Sequence, residues 1–153
     1  ENWRLSNFGT SSTTGTAADT FDADFDGVAN LMEYALGRSP TSQAGSDGAN
    51  SLPLYTTSAT DPLLTGRLVL IIDIPSPAPQ DVTYIVEVSD TLGTMSWSTL
   101  ATKTGTGAWS WHAGGTSRVL ETTSAGRSSV QVGDSSLMSA SSPRFIRLRV
   151  ETP

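Results

Sequence analysis

Cysteine is absent from this chain of 153 residues, and histidine occurs once, at His112. Without cysteine there is no disulfide framework, no thiolate metal site and no cysteine nucleophile. A single histidine excludes metal sites built from several imidazoles, and any Ser-His-Asp arrangement would have to use His112. The sequence also contains no nucleophile elbow and no phosphate-binding loop. We therefore expect that the chain is not an enzyme.

Basic residues and long apolar runs are also scarce. Nine Lys and Arg stand against fifteen Asp and Glu, which gives a formal net charge of −6. Nucleic acid and anionic membrane surfaces bind clustered cations, so neither is an expected partner, and a cation is the more natural charged ligand. The hydrophobic residues lie in short runs, well below the ~20 residues needed to span a bilayer, so no membrane insertion is expected. Because the chain begins at Glu1 without a leader, we also expect it to be part of a longer protein.

The stretch DADFDGVANLME, residues 22–33, has the spacing of an EF-hand calcium loop. In such a loop, oxygen ligands come from positions 1, 3, 5, 7, 9 and 12, and a glycine at position 6, here Gly27, permits the sharp turn. Four carboxylates at this spacing repel each other without a counterion, so the sequence predicts a Ca²⁺ ion whose binding orders the segment. The predicted ligands are Asp22, Asp24, Asp26, Val28 through its carbonyl, Asn30 directly or through a water, and Glu33.

The alternative to a metal site is a solvated acidic loop ahead of a helix, in which Asp26 or Asn30 caps the helix. If calcium does bind, its role is either regulatory or structural. A regulatory switch needs a helix on both sides of the loop, whereas residues 15–21 are few, polar and poor in helix-forming residues. A structural ion is therefore the expectation.

The hydrophobic pattern differs between the two ends of the chain. In residues 1–40 apolar residues recur at helical spacing, and Gly37 followed by Pro40 is typical of a helix end. Residues 41–51, TSQAGSDGANS, have the composition of a linker. Residues 52–153 have a period of two with turn residues between the runs, which predicts a mainly β domain, an antiparallel sandwich of seven or eight strands. The candidate strands are 52–56, 68–74, 82–88, 97–103, 108–112, 118–122, 128–133 and 144–150.

A family resemblance is carried by WRL at 3–5, FG at 8–9, AAD at 17–19, the aspartate loop, and NLMEYALG at 30–37 followed by Pro40. This set resembles a repeat found near the C-termini of large secreted proteins of Planctomycetes and Verrucomicrobia, and its loop is similar to dockerin and thrombospondin type 3 repeats. Ser39 stands where these repeats carry Asp, and Phe25 where they carry Gly. The family continues into a β-sandwich, and residues 84–89, Trp97 and 144–149 resemble its Ig-like or fibronectin type III-like strands. The resemblance implies a calcium-binding, non-catalytic C-terminal module of a bacterial protein that is secreted or displayed at the cell surface.

Trp109 and Trp111 are two residues apart in the run GTGAWSWHAGG. On a strand they share one face at a spacing of roughly 7 Å, so they could stack on the sugar rings of a polysaccharide while His112 or Arg118 binds hydroxyls. The alternative is that one or both fill the core of the sandwich. Trp97, which follows a turn and precedes an apolar position, is expected in the core.

Two hypotheses of function follow. The leading one is a calcium-stabilised accessory or binding module that recognises polysaccharide. The alternative is a structural domain for cell-surface attachment, adhesion or self-assembly, in which calcium rigidifies a junction and the sandwich contacts other protein subunits. Two buried indoles at Trp109 and Trp111 would leave no sugar platform, whereas an exposed apolar strip or an open edge strand would favour assembly.

Overall fold

A computed structural model describes residues 2–42, 52–93, 96–139 and 143–152. The chain divides into two compact units, Glu1–Leu52 and Pro53–Pro153. Most of the predicted linker, residues 43–51, lies outside the described residues. In the part of the chain that the structure describes, no helix is long and apolar enough to cross a membrane.

The first unit contains two short helices, α1 (Asn2–Phe8) and α2 (Asn30–Leu36), and a 3₁₀ turn at Gly15–Ala17. Within α1 the centroid of the Trp3 ring lies 5.9 Å from that of the Phe8 ring. The Trp3 ring also lies 5.2 Å from the ring of Tyr34, centroid to centroid, and this contact joins α1 to α2. α2 ends where the sequence predicts. Gly37 adopts the left-handed conformation with φ of 67°, and its N–H bonds back to the last turn of the helix, a geometry that glycine takes without steric cost.

The second unit is mainly β, with eight strands in two antiparallel four-stranded sheets. The strands are β1 (Leu54–Thr56), β2 (Val69–Pro75), β3 (Thr83–Ser89), β4 (Ser98–Thr104), β5 (Ser110–Trp111), β6 (Val119–Ser124), β7 (Arg127–Gly133) and β8 (Phe145–Glu151). Their order is β1-β2-β7-β6 in the first sheet and β5-β4-β3-β8 in the second. This architecture is consistent with a β-sandwich, so the predicted fold class is confirmed at that level.

Alternate residues of the central strands form the core of the second unit. On β2, Ile72 is fully buried and pairs with the equally buried Val130 of β7. On β3, Tyr84 and Val86 are fully buried on one face. β2 lies between β1 and β7, and β3 lies between β4 and β8. Both strands are therefore central, as their apolar residues on two faces indicate.

β5 is shorter than the sequence predicts. The pattern indicated a strand over 108–112, but β5 has two residues, which pair with Ala101 and Thr102 of β4. Immediately beyond it Gly114 and Gly115 take positive φ angles of 71° and 65°, which turn the chain away from the sheet. Trp109 therefore lies just before the strand rather than within it.

Candidate functional site

The three aspartates of the predicted calcium loop converge. Asp22, Asp24 and Asp26 each offer a carboxylate oxygen, and these oxygens all lie within 4.8 Å of one another. Ca²⁺ binds oxygen at about 2.3–2.6 Å, so two ligands of one ion lie no farther apart than about 5 Å. The spacing of the three carboxylates therefore fits a single calcium ion.

The same carboxylates shape the backbone of the loop. The Asp22 carboxylate accepts the N–H of Asp26 at 3.2 Å and the N–H of Gly27 at 2.8 Å. The Asp26 carboxylate accepts the N–H of Val28 at 2.8 Å. Gly27 has a φ of 91°, a conformation that favours glycine. These bonds coil the backbone around the acidic side chains, as the loop spacing predicts.

Phe25, also in the loop, has a backbone conformation that is unfavourable for a residue with a side chain. Its φ is 64° although it carries a side chain, and 80% of its surface is exposed. A residue with a Cβ pays about 1–2 kcal/mol in the left-handed region, and an exposed ring gains little from burial in return. The structure thus shows why a glycine suits this position, where the sequence has phenylalanine.

Asn30, the predicted ligand at position 9 of the loop, is 1% exposed. Its side-chain amide donates to the carbonyls of Thr16 at 2.9 Å and Ala18 at 2.7 Å. Its backbone N–H donates to the carbonyl of Phe21 at 2.8 Å. Among the described residues, Oδ1 of Asn30 is buried and accepts no hydrogen bond. A buried amide oxygen in that state costs free energy unless a further donor or a cation reaches it, which suits a calcium ligand.

Glu33 and Val28 complete the predicted ligand set. Glu33 lies in the first turn of α2, as predicted, and is 0% exposed, while Val28 is 8% exposed. The Glu33 carboxylate does not belong to the group of mutually close carboxylates, which consists of Asp22, Asp24 and Asp26 among the residues described. The structure therefore gathers three of the four predicted carboxylates and places the fourth in the adjoining helix.

Arg38 is a functional residue that the sequence reasoning missed. Its Nη2 atom lies 3.0 Å from Oδ2 of Asp26, and the two side chains are only 1% and 2% exposed. Its backbone N–H also donates to the carbonyl of Glu33 at 2.7 Å, just past the end of α2. In the sequence, the feature that could have indicated this contact is that Arg38 directly follows Gly37. Gly37 caps α2 in the left-handed conformation and turns the chain back toward the loop. A fixed cation therefore already touches one of the predicted calcium ligands.

The charge of this unit remains strongly negative. Residues 1–52 contain seven acidic residues and two arginines. Arg4 pairs with Asp19, and Arg38 pairs with Asp26. The excess of carboxylates creates a field that attracts cations, in agreement with the chemistry of the predicted oxygen ligands.

Trp109 packs toward the core of the second unit. Its ring centroid lies 6.3 Å from that of Tyr84, which is fully buried. Its indole N–H is buried and donates no hydrogen bond to the described residues. Although part of Trp109 remains accessible, the side chain is a packing contact, so it contributes little to an exposed sugar platform.

Trp111 and His112 lie at the surface beside it. Trp111 is half-buried, and its indole nitrogen donates to the carbonyl of Gly114 at 2.8 Å. His112 is exposed, and its Nε2 lies 2.8 Å from the hydroxyl of Thr102. Arg118, the other predicted hydroxyl ligand, donates to the carbonyl of Thr116 at 2.8 Å. Hydrogen bonds thus fix Trp111 and His112 in place, while the platform of two tryptophans stays a prediction.

Trp97 was expected in the core but is half-buried beside a charged cluster. The Arg147 guanidinium lies 4.0 Å from the centroid of its ring, a cation–π contact.

Arg147 and Arg149 also bind the carboxylate of Glu87, whose side chain is 7% exposed. Burial alone would raise the pKa of Glu87, but hydrogen bonds from Arg149 and Arg147 outweigh it, so the pKa lies below its usual value. Arg147 and Arg149 therefore hold a carboxylate that is almost completely buried.

The resemblance of the first forty residues to a secreted repeat stays a prediction from the sequence. A functional assignment therefore depends on the geometry of the acidic loop and of the strands. In comparisons with known proteins, the chain matches no family model, no curated protein and no solved structure.

Proposed function

We propose that this chain is a non-catalytic, calcium-stabilised accessory module of a larger secreted or cell-surface bacterial protein. The observation that carries the proposal is the convergence of the Asp22, Asp24 and Asp26 carboxylates within 4.8 Å. Bound calcium would supply the positive charge that offsets these carboxylates. The chain's own residues would hold it through those three side chains, the Val28 carbonyl, Asn30 and Glu33.

A structural role for calcium is supported by the elements around the loop. α2 begins at Asn30 within the loop and continues beyond it, but the segment before the loop contains a 3₁₀ turn of three residues, Gly15–Ala17, rather than a second long helix. An EF-hand switch opens two flanking helices to expose an apolar groove. Asn30 instead ties α2 to Thr16 and Ala18 on the opposite side of the loop. Calcium at this site would therefore lock local structure.

The order of the strands supports an Ig-like type of sandwich. In constant-type Ig domains the first sheet has the order A-B-E-D, and strands C and F are neighbours in the second. The orders β1-β2-β7-β6 and β5-β4-β3-β8 correspond if β3 is strand C and β8 is strand F.

Polysaccharide binding is the second candidate function, favoured by the surface at Trp111 and His112. A half-buried indole fixed by a hydrogen bond offers an aromatic face, and the neighbouring imidazole is held in a defined position.

The attachment or self-assembly alternative is supported by exposed apolar side chains on the second unit, among them Tyr55 and Leu92 at 76% and 72% exposure.

Isothermal titration of the EDTA-treated chain with CaCl₂ tests the calcium proposal. We expect one ion per chain, weaker binding of Mg²⁺ because the loop offers many flexible oxygens, and a calcium-dependent rise in thermal stability. Asp24→Asn should abolish the heat of binding. Asp61→Asn is the matched control, because Asp61 lies in the second unit, where it accepts the N–H of Leu63. Equal titrations of Asp24→Asn and the parent would refute the site.

A further inference from the structure

Arg67 and Arg118 are the two basic side chains that have no carboxylate partner among the described residues. Every other Lys and Arg of the chain lies in an ion pair with an Asp or Glu, namely Arg4, Arg38, Lys103, Arg127, Arg144, Arg147 and Arg149. Carboxylates are not scarce, since the chain has fifteen Asp and Glu for nine Lys and Arg. The charges of Arg67 and Arg118 therefore differ from the rest in having no fixed counterion.

The two arginines lie close together at one end of the first sheet. Arg67 precedes β2 and Arg118 directly precedes β6, and these strands pair with β7 on its two sides. A Cβ added to Gly133, the last residue of β7, would lie 3.5 Å from Cβ of Arg118 and 3.8 Å from Cδ of Arg67. It would also lie 2.6 Å from a methyl group of Leu64. The end of β7 is thus bare backbone, with both arginines beside it.

Backbone carbonyls hold one nitrogen of each guanidinium. Nη1 of Arg67 donates to the carbonyls of Asp134 at 3.1 Å and Ser135 at 2.6 Å, and Nη1 of Arg118 donates to the carbonyl of Thr116 at 2.8 Å. In both arginines the opposite edge, formed by Nε and Nη2, donates to no described residue, and Nε of Arg118 is buried. A buried N–H without an acceptor costs free energy. Each guanidinium is therefore positioned through Nη1, while its forked edge lacks an acceptor.

The carboxylate that acts on Arg67 is already bound by another cation. Asp134 is 1% exposed and accepts hydrogen bonds from Nε and Nη2 of Arg144, whose Nη1 atom binds Asp90. Burial lowers the pKa of Arg67 below its ordinary value, the charge of Arg118 lowers it further, and Asp134 acts in the opposite direction. Three arginines thus share two aspartates, which leaves this end of the sheet positively charged.

The forked edge of a guanidinium matches the oxygens of an oxyanion, to which it donates two parallel N–H bonds. A carboxylate has two oxygens in one plane and satisfies one such fork. A sulfate or phosphate group has oxygens directed to the corners of a tetrahedron, so it can accept from two forks that lie in different planes. Two neighbouring arginines with free forks therefore favour a tetrahedral anion.

We propose that Arg67 and Arg118 form a binding site for a sulfate or phosphate group. The bound group would accept from Nε and Nη2 of both arginines, while their Nη1 atoms keep the carbonyls that position them. A free ion and an ester on a larger molecule offer the same oxygens to this site. The interaction goes beyond the proposed function and does not depend on calcium, because the aspartate loop belongs to the other unit.

The test is an NMR titration of the isotopically labelled 153-residue chain, which follows the Nε–H signals of its arginines at constant ionic strength. The probes are sodium sulfate, sodium phosphate, methyl sulfate and sodium acetate. We expect saturable shifts at Arg67 and Arg118 with sulfate and with phosphate, and about tenfold weaker binding of acetate, which satisfies one fork. Binding of methyl sulfate would identify an ester as an acceptable source, and its exclusion would identify a free ion. Unshifted signals of Arg67 and Arg118, or equal affinities for sulfate and acetate, would overturn the proposal.

Arg67→Lys and Arg118→Lys keep the positive charge but remove the fork. Each should weaken sulfate binding by about tenfold. Arg127→Gln is the matched control, because Arg127 pairs with Asp73 in the same sheet, and it should bind sulfate like the parent. Backbone amide spectra establish that each variant is folded. If both lysine variants lost thermal stability but bound sulfate like the parent, the arginines would serve only to hold the carbonyls, and the site would be refuted.

Discussion

The guanidinium of Arg38 lies 3.0 Å from the carboxylate of Asp26, and both side chains are almost completely buried. Removing one partner of a buried pair leaves the other charge uncompensated, at a cost of about 3–5 kcal/mol. We expect Arg38→Met to destabilise the first unit in EDTA by an amount of this order. Calcium should restore part of the loss, because it brings positive charge to the same carboxylate. Amide hydrogen exchange of residues 30–36 measures the change.

Arg4→Met is the control for that experiment. Arg4 pairs with Asp19 in the same unit, but their side chains are 13% and 29% exposed, so solvent screening should make the loss smaller. If Arg38→Met exchanged like the parent in EDTA, the buried pair would not support the loop.

Phe25→Gly should stabilise the first unit. The left-handed φ of 64° at this exposed residue costs about 1–2 kcal/mol with a Cβ, whereas glycine adds about 0.4–1 kcal/mol of unfolded-state entropy. The expected net gain is about 0.5–1 kcal/mol in the free energy of unfolding, measured by urea denaturation. Gly27→Ala, at a φ of 91°, should have the opposite sign, and a loss of stability in Phe25→Gly would contradict this account.

The repeating features of both units were accessible from the sequence. The aspartate spacing indicates the loop, Gly37 indicates the end of the helix, and the period-two runs indicate nearly every strand. Each of these features depends on residues that are neighbours in the sequence. The contacts of Arg38 with Asp26 and of Glu87 with Arg147 depend on how distant segments fold together. The two tryptophans next to Ser110 were assigned one face from strand geometry, but the strand is too short to include Trp109, which packs on Tyr84 instead.

The stability of the second unit should depend on pH through Glu87. Its pKa is lowered in the folded state, so its contribution is present above the unfolded pKa near 4.5 and is lost as the pH falls through the lower folded value. Glu87→Gln should flatten the acid side of the stability curve relative to the parent. Urea unfolding between pH 6 and pH 3 measures the difference. Parallel curves for the two proteins would show that the arginines do not stabilise the ionised form.

Trp109→Ala and Trp111→Ala should have different consequences. Loss of the Tyr84 contact in Trp109→Ala should lower the free energy of unfolding by at least ~2 kcal/mol. Trp111→Ala should retain most stability but lose retention on polysaccharide gels, if the second candidate function holds. Thermal unfolding and affinity electrophoresis separate the two effects. Retention by Trp111→Ala equal to that of the parent would remove the sugar-binding candidate.

The pairing of Glu87 with two arginines also orders events in folding. Arg147 and Arg149 follow Glu87 by 60 and 62 residues along the chain. During synthesis β3 therefore emerges long before the cations that neutralise its carboxylate, and contacts of such sequence separation form slowly. Until β8 arrives, the Glu87 carboxylate keeps its water and β3 keeps an exposed edge. Completion of the second sheet by β8 thus joins strand pairing to the neutralisation of this carboxylate.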